Sequence, residues 1–424
     1  MSFSDDIRYF MDHITSLEST LPSLMVFSSS TVKQAEEKFN NYIKEGHATI
    51  VADDSESTTY RIESENLYQF QRLKRKLHNV EIAYKTIPRG FIVSLVSQYD
   101  AFLGRLIRTM FNVKPEKLNS SEKNMQFSEI IKFNSIEDIK EAIIEKEVET
   151  VLRKSHSEQF DWLENKLSIK LREGLEIWPC FIELTERRNL FVHCDGVISS
   201  QYLRVCRENG VMNDSEDTQS FQLNVSPKYF RKSVDCIFEI GVKLAHVMWR
   251  KLQDEDREAA DSNLIEICFD LIYRGKYKLA ITLLDFATDV IKKYASEENR
   301  LTFIINKAQA YKWDGDNNKC KQILNKVDWS AYQDIYQIAN AVLLDDFKSA
   351  SLIMKKLAKN ESINKNIYIE WPLFKEFRKS QFFIDTYKEL FGEEFGTVNE
   401  TIEKDNRNDI AFDEAASNKE KTDE

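Results

Sequence analysis

Turn formers are scarce in this chain: 6 prolines and 11 glycines in 424 residues. With 30% of the residues charged, that scarcity argues against a turn-rich fold and for a mainly helical, all-α protein. Cysteine is sparse too. The six cysteines, at 180, 194, 206, 236, 268 and 320, never fall at Cys-x-x-Cys spacing, and no histidine pair completes a zinc set. They read as buried thiols in a reducing compartment. Positive charge is lacking overall, the formal net charge being −11. No global field draws such a chain to nucleic acid, so an RNA-binding surface would have to be a local patch. No apolar run approaches the roughly 18 residues of a membrane span. Met1-Ser2-Phe3-Ser4-Asp5-Asp6 has neither the basic nor the apolar segment of a signal peptide. A soluble, cytoplasmic protein with no membrane partner is expected. Phosphate-binding glycine loops, dinucleotide fingerprints and the Gly-x-Ser-x-Gly elbow are all missing, and no two histidines are close in sequence. No cofactor and no metal are therefore expected.

Helical periodicity dominates what is present. In an N-terminal region over 1–64, residues 4–46 read as two helices, the second over 31–45 between Ser30 and Gly46. A β-hairpin follows, made of Ala48-Thr49-Ile50-Val51 and Thr58-Thr59-Tyr60-Arg61-Ile62 around a polar turn. Residues 65–251 read as a helical bundle. Its first helix, 65–84, carries Arg72-Leu73-Lys74-Arg75-Lys76, the densest basic run of the chain. Such a run is either a solvated face or, if it lies near a nuclease site, an RNA contact. Pro88 then opens a second helix whose apolar face holds Phe91, Leu95, Tyr99, Phe102 and Leu106. Asp100 sits among these residues, and a charge there is either paired or placed on a cleft. Helices over 139–152 and 158–170, a short strand over 221–225 and a helix behind Ser226-Pro227 complete the bundle.

Past the charged junction Asp254-Glu255-Asp256-Arg257-Glu258, residues 262–395 repeat. Turns at Gly275, Gly315 and Asp345 are each followed five places on by a small residue, Ala280, Cys320 and Ala350. A small residue there lets two helices approach closely. The units resemble tetratricopeptide-like repeats, the first copy, Gly275-Lys276-Tyr277-Lys278-Leu279-Ala280, most clearly. The period is irregular and the Trp-x-x-Leu-Gly signature is missing. A separable helical-hairpin array is expected, with a surface for a protein or peptide partner. The segment 396–424, with nine Asp/Glu against four Lys/Arg and few apolar residues, is expected to be a disordered acidic tail.

The stretch with chemistry in it is Glu186-Arg187-Arg188-Asn189-Leu190-Phe191-Val192-His193-Cys194-Asp195-Gly196. It ends an apolar-periodic helix, with Gly196 suited to a position just past the C-terminus. Asn189 and His193, four apart, share a face, while Arg188 lies about 140° round from His193 and can reach back with its long side chain. A phosphate-binding cation, an amide and a group titrating near neutrality therefore meet at one helix end. The same three residues also suit an ordinary helix end, where cations meet the dipole and histidine caps carbonyls.

Arg188-Asn189-x-x-x-His193 resembles the Arg-x4–6-His signature of the HEPN superfamily. The continuation Gly196-Val197-Ile198-Ser199-Ser200-Gln201-Tyr202-Leu203 is similar to the run that follows this motif in many bacterial members. The helix around Val93–Leu103, with Asp100, looks like the family's earlier core helix. The resemblance covers about residues 65–250 and implies a HEPN-like helical bundle. For active members it implies RNA cleavage without a metal, in a cleft shared by two protomers. His193 would then act as general base or acid and Arg188 would hold the scissile phosphate. Asn189 would orient the phosphate or His193, and Asp100 would tether Arg188 or His193. RNA and a second copy of the chain are the implied partners, and a toxin or antiphage defence role is compatible. Some HEPN domains are non-catalytic, so an adaptor or nucleotide-binding protein built on the same domain and the helical repeats stays open.

Overall fold

The computed structural model describes residues 2–53, 58–120, 126–211, 221–359 and 365–396. The acidic tail from 397 onward, and most of the polar loop expected around 209–218, lie outside the described residues. The expectation of a mainly α-helical protein is met, with one two-stranded sheet among the described residues. No described helix is long and apolar enough to cross a membrane. The chain divides into two compact units, Met1–Asp328 and Trp329–Glu424.

The first unit starts with α1, Phe3–Tyr42, opened by a capping box in which Ser2 and Asp5 satisfy each other's backbone donors. Gly46, at φ 86°, turns the chain into β1, Ala48–Asp53, which pairs antiparallel with β2, Thr58–Ile62, from Ala48 opposite Ile62. The expected hairpin is thus present. It leads into α2, Leu67–Val113. Two corrections arise here. The pair of helices expected in residues 4–46 is one helix running through Pro22, and the pair expected across 65–110 is one helix running through Pro88. Local punctuation is overridden because α1 and α2 lie antiparallel along their length. Phe39 meets Phe70 near the hairpin, with ring centroids 5.3 Å apart. At the other end Thr109 Oγ1 donates to the buried Asp6 carboxylate at 2.8 Å.

The short α3, Phe127–Ile130, precedes α4, Ile136–Leu152, and α5, His156–Leu167. Next come α6, Trp178–His193, α7, Ser200–Glu208, and α8, Pro227–Leu252. The short strand expected over 221–225 reduces to a single bridge between Val197 and Gln222. α1, α2, α6 and α8 bury their apolar stripes together. Phe10 of α1 stacks on Phe102 of α2 with centroids 4.2 Å apart and planes 9° apart. Both rings rest against Gly241 of α8, where a Cβ would come within 2.5 Å of Phe10.

α9, Arg257–Tyr273, and α10, Tyr277–Asp285, form the first helical hairpin; α11, Glu297–Trp313, and α12, Asn317–Leu324, form the second. The residues expected to let helices approach, Ala280 and Cys320, are fully buried behind left-handed turns at Gly275 and Gly315. These hairpins do not start a separate body at 254–258. A single 3-10 turn joins α8 to α9, Trp249 Nε1 donates to Asp256 at 2.8 Å, and Arg250 pairs with the buried Asp261 at 2.6 Å. The apolar core runs continuously from Phe3 to Ala310. The division into units falls instead between Asp328 and Trp329, inside the range read as repeats. In the second unit α13, Asp334–Leu343, and α14, Phe347–Lys359, make the third hairpin around Asp345, with Ala350 buried. α15, Lys365–Glu370, α16, Gln381–Phe391, and the two 3-10 turns between them add an aromatic core of Tyr368, Phe374, Phe377, Phe383 and Tyr387.

Two measurements follow from this packing. Gly241→Ala must displace the Phe10 ring, and overpacking of this kind should cost about 1–3 kcal/mol. Urea denaturation checks it, and an unchanged midpoint would contradict the α1–α2–α8 contact. The second concerns His246 on α8, fully buried, where burial and then the neighbouring Arg250 push the imidazole down to about 3. The unfolded chain, with an ordinary value near 6.5, binds the more protons between those limits, so stability falls as pH drops below about 6.5. His246→Leu should shrink the stability difference between pH 7 and pH 5 by about 2 kcal/mol.

Candidate functional site

α6 places the motif. It begins at a proline-containing first turn, is buried through Phe181, Ile182 and Leu184, and stops at His193. Its closure takes two left-handed residues, Asp195 at φ 50° and Gly196 at φ 79°. The Gly196 N–H donates to Leu190 O at 3.0 Å. A Cβ on Gly196 would lie 3.1 Å from both Leu223 O and the Phe191 ring, so conformation and space both require glycine there.

The loop after His193 is held from outside the helix. Arg89 of α2 donates through Nη1 to Asp195 Oδ1 at 3.0 Å and through Nη2 to Asn224 Oδ1 at 2.9 Å. Its guanidinium also lies 5.6 Å from the centre of the Phe191 ring. Gln222 Nε2 adds bonds to Asp195 O and Oδ2 at 2.8 and 2.9 Å. His193 itself is exposed at the helix end and makes no hydrogen bond or ion pair with a described residue.

The two adjacent arginines have different surroundings. Arg187 points into the bundle, over the Tyr229 ring at 3.9 Å, and donates through Nε to Glu183 at 2.7 Å. Tyr202 of α7 and Tyr229 of α8 donate to the same carboxylate at 2.7 and 2.8 Å. Burial opposes the charge on Arg187, but Tyr229, Glu183 and Tyr202 outweigh it and raise its pKa. Arg187 therefore fastens α6 to α7 and α8. Arg188 points the other way. Its Nη2 meets Asp100 Oδ2 at 3.0 Å, with 21% of the arginine side chain and 26% of the aspartate exposed. Its Nε is buried without a partner. The helices of Asp100 and Arg188 are thus side by side, as expected.

The second oxygen of Asp100 goes to a residue that the sequence did not single out. His156, at the first turn of α5 and only 7% exposed, places Nε2 3.0 Å from Asp100 Oδ1. Its ring packs edge-on against Phe181 with centroids 5.5 Å apart. One signal was available: Ser155 and Glu158 form a capping box, which puts His156 at a helix start. Its pairing with a residue 56 positions earlier was not readable. Glu186, half-buried, joins the cluster. Burial lifts its carboxyl above the usual range, against the pull of His156, Asn189 and Arg188.

Of the two partners expected for Asp100 it takes Arg188, and its other oxygen goes to His156 and not to His193. Asn189 donates to Glu186 Oε1 at 3.3 Å and not to His193, because its amide turns toward the preceding turn of its own helix. His193 stands five residues beyond Arg188, about 7.5 Å further along the helix axis. The arrangement offers an anchored guanidinium beside two carboxylates and a histidine, with a second, exposed imidazole past it. Among the described residues no three His, Cys, Asp or Glu side chains converge as a metal site.

Asp100→Asn removes the carboxylate from two partly buried partners at once. It should destabilise the first unit by about 1–3 kcal/mol, read by urea denaturation at neutral pH. An unchanged stability would mean that the Arg188–Asp100–His156 chain is open in solution.

Compared with protein-family models, with curated proteins and with solved structures, the chain matches none.

Proposed function

We propose that this chain is a metal-independent endoribonuclease of the HEPN type that cleaves RNA by attack of a ribose 2′-OH and acts as a homodimer. The observation that carries the reading is the exposed His193 at the end of the helix that also carries Arg188, whose guanidinium Asp100 holds by an ion pair. His193 is the acid–base group, free of partners and open to solvent. Arg188 is the phosphate ligand, with donors left beyond the one given to Asp100. Asp100 is a positioning residue, and Asn189 fixes Glu186 beside it. Cleavage through a 2′-OH gains from both a base and an acid, and one protomer offers a single exposed histidine here. A two-fold dimer would bring a second His193 to the same phosphate. RNA is the substrate because the 2′-OH is the nucleophile. A toxin or antiphage effector role belongs to the same proposal and rests on the family resemblance alone.

One observation favours a second reading, a non-catalytic adaptor or nucleotide-binding protein. Asp100 and Glu186 both lie beside Arg188, so its charge is already compensated within the chain. An entering phosphate must compete with them.

Incubation of purified protein with total RNA in EDTA separates the two. The nuclease reading expects 2′,3′-cyclic phosphate ends. It expects His193→Ala to lose roughly 10²–10⁴-fold in rate with unchanged helicity. Arg188→Lys should also be impaired, since an ammonium cannot make the bidentate contact. Equal cleavage by wild type and His193→Ala, or a protein monomeric at working concentration, would leave the adaptor reading.

A further inference from the structure

A cavity of about 660 Å³ opens where α1, α2 and the start of α8 meet. Its size is that of a small-molecule site. Leu21, Met25, Tyr84, Val225 and Phe230 make its wall largely apolar, and Pro22 and Pro88 face it from the two long helices. Two polar groups of the wall are already used within the protein, while the Tyr84 hydroxyl makes no hydrogen bond with a described residue. Asn224 Oδ1 accepts from Arg89, and Ser226 Oγ accepts from the Tyr229 N–H at 3.1 Å. A ligand rich in hydrogen-bonding groups would find few partners here.

Charge is left over, and it has one sign. Glu18, the one acidic side chain in the wall, is held by Lys276, whose Nζ sits 2.5 and 2.6 Å from its two oxygens and 3.4 Å from Asp235 Oδ1. Lys85 of α2 and Arg231 of α8, both in the wall, are exposed and have no acidic partner among the described residues. The positive end of the 26-residue α8 begins at the same wall. An apolar interior below two uncompensated cations complements a molecule with an apolar body and one negative end.

We propose that this cavity is a binding site for a single-chain amphipathic anion of the medium-chain carboxylate class. The chain occupies the space against Leu21, Met25 and Phe230, and the carboxylate lies between Lys85 and Arg231. The proposal does not depend on RNA cleavage, so its test reads binding alone.

The test is calorimetric titration of the full chain with decanoate, decanol and decyltrimethylammonium, all below micelle formation. Decanoate should bind at one site per chain, about tenfold or more tighter than decanol, with the ammonium weakest. Lys85→Glu with Arg231→Glu, both exposed and remote from the core, should weaken decanoate about tenfold and leave decanol unchanged. Met25→Trp, which narrows the cavity, should weaken binding of both, with circular dichroism confirming the fold. Equal affinity for the three probes, many weak sites, or charge-reversed protein binding like wild type would each overturn the proposal. So would failure of any probe to bind. If Met25→Trp instead weakens self-association while no probe binds, the cavity is a contact between copies of the chain and not a ligand site.

Discussion

One carboxylate, Asp100, holds the guanidinium of the candidate site in place. Asp100 stands on the buried helix α2 and gives one oxygen to Arg188 of α6 and the other to His156 of α5. A partly buried aspartate without partners would be costly, and so would the Arg188 guanidinium without it. The three residues therefore fix three helices against one another, and Arg188 is held in place before any ligand arrives. Preorganisation of this kind makes a guanidinium effective against a developing charge. It also sets the competition that any phosphate must win.

The neighbouring arginine shows how one helix serves packing and chemistry together. Arg187 is consumed by Glu183, Tyr202 and Tyr229, which lock α6 onto α7 and α8. Arg188, one step of 100° further round, faces α2. The Arg89 bracket on Asp195 then holds the loop just past His193. The exposed histidine thus projects from a helix end fixed on both sides, although its own side chain touches little.

Much of the fold was legible in local sequence because its signals are local. Capping residues, the hairpin around residues 54–57, and the turns at Gly275, Gly315 and Asp345 with small residues five places on all have short-range causes. Continuity of α1 and α2 was not legible. Proline and a serine run are local stop signals, and the force that overrides them comes from antiparallel packing of two segments far apart in sequence. In the site, Arg188 and Asp100 were both readable, one from its motif and one as a charge on an apolar face. His156 was not, since nothing near it in sequence announces Asp100 as its partner. Asn189 bonds Glu186 and not His193, a contact made within one turn of its own helix. The junction at 254–258 reads as a linker by composition. Trp249, Arg250 and Asp261 make it a joint.

The Phe10–Phe102–Gly241 contact has a consequence for how the chain comes into being. Phe10 leaves the ribosome well before Gly241, which is made 231 residues later (241 − 10). Until α8 emerges, α1 and α2 have no lid over their shared apolar stripe, and contacts between such distant segments form slowly. Arg188 and His193 emerge before that lid does. The nascent chain therefore carries its arginine and histidine for a time on an unfinished bundle, and co-translational folding should close the packing of α1 and α2 only when α8 docks.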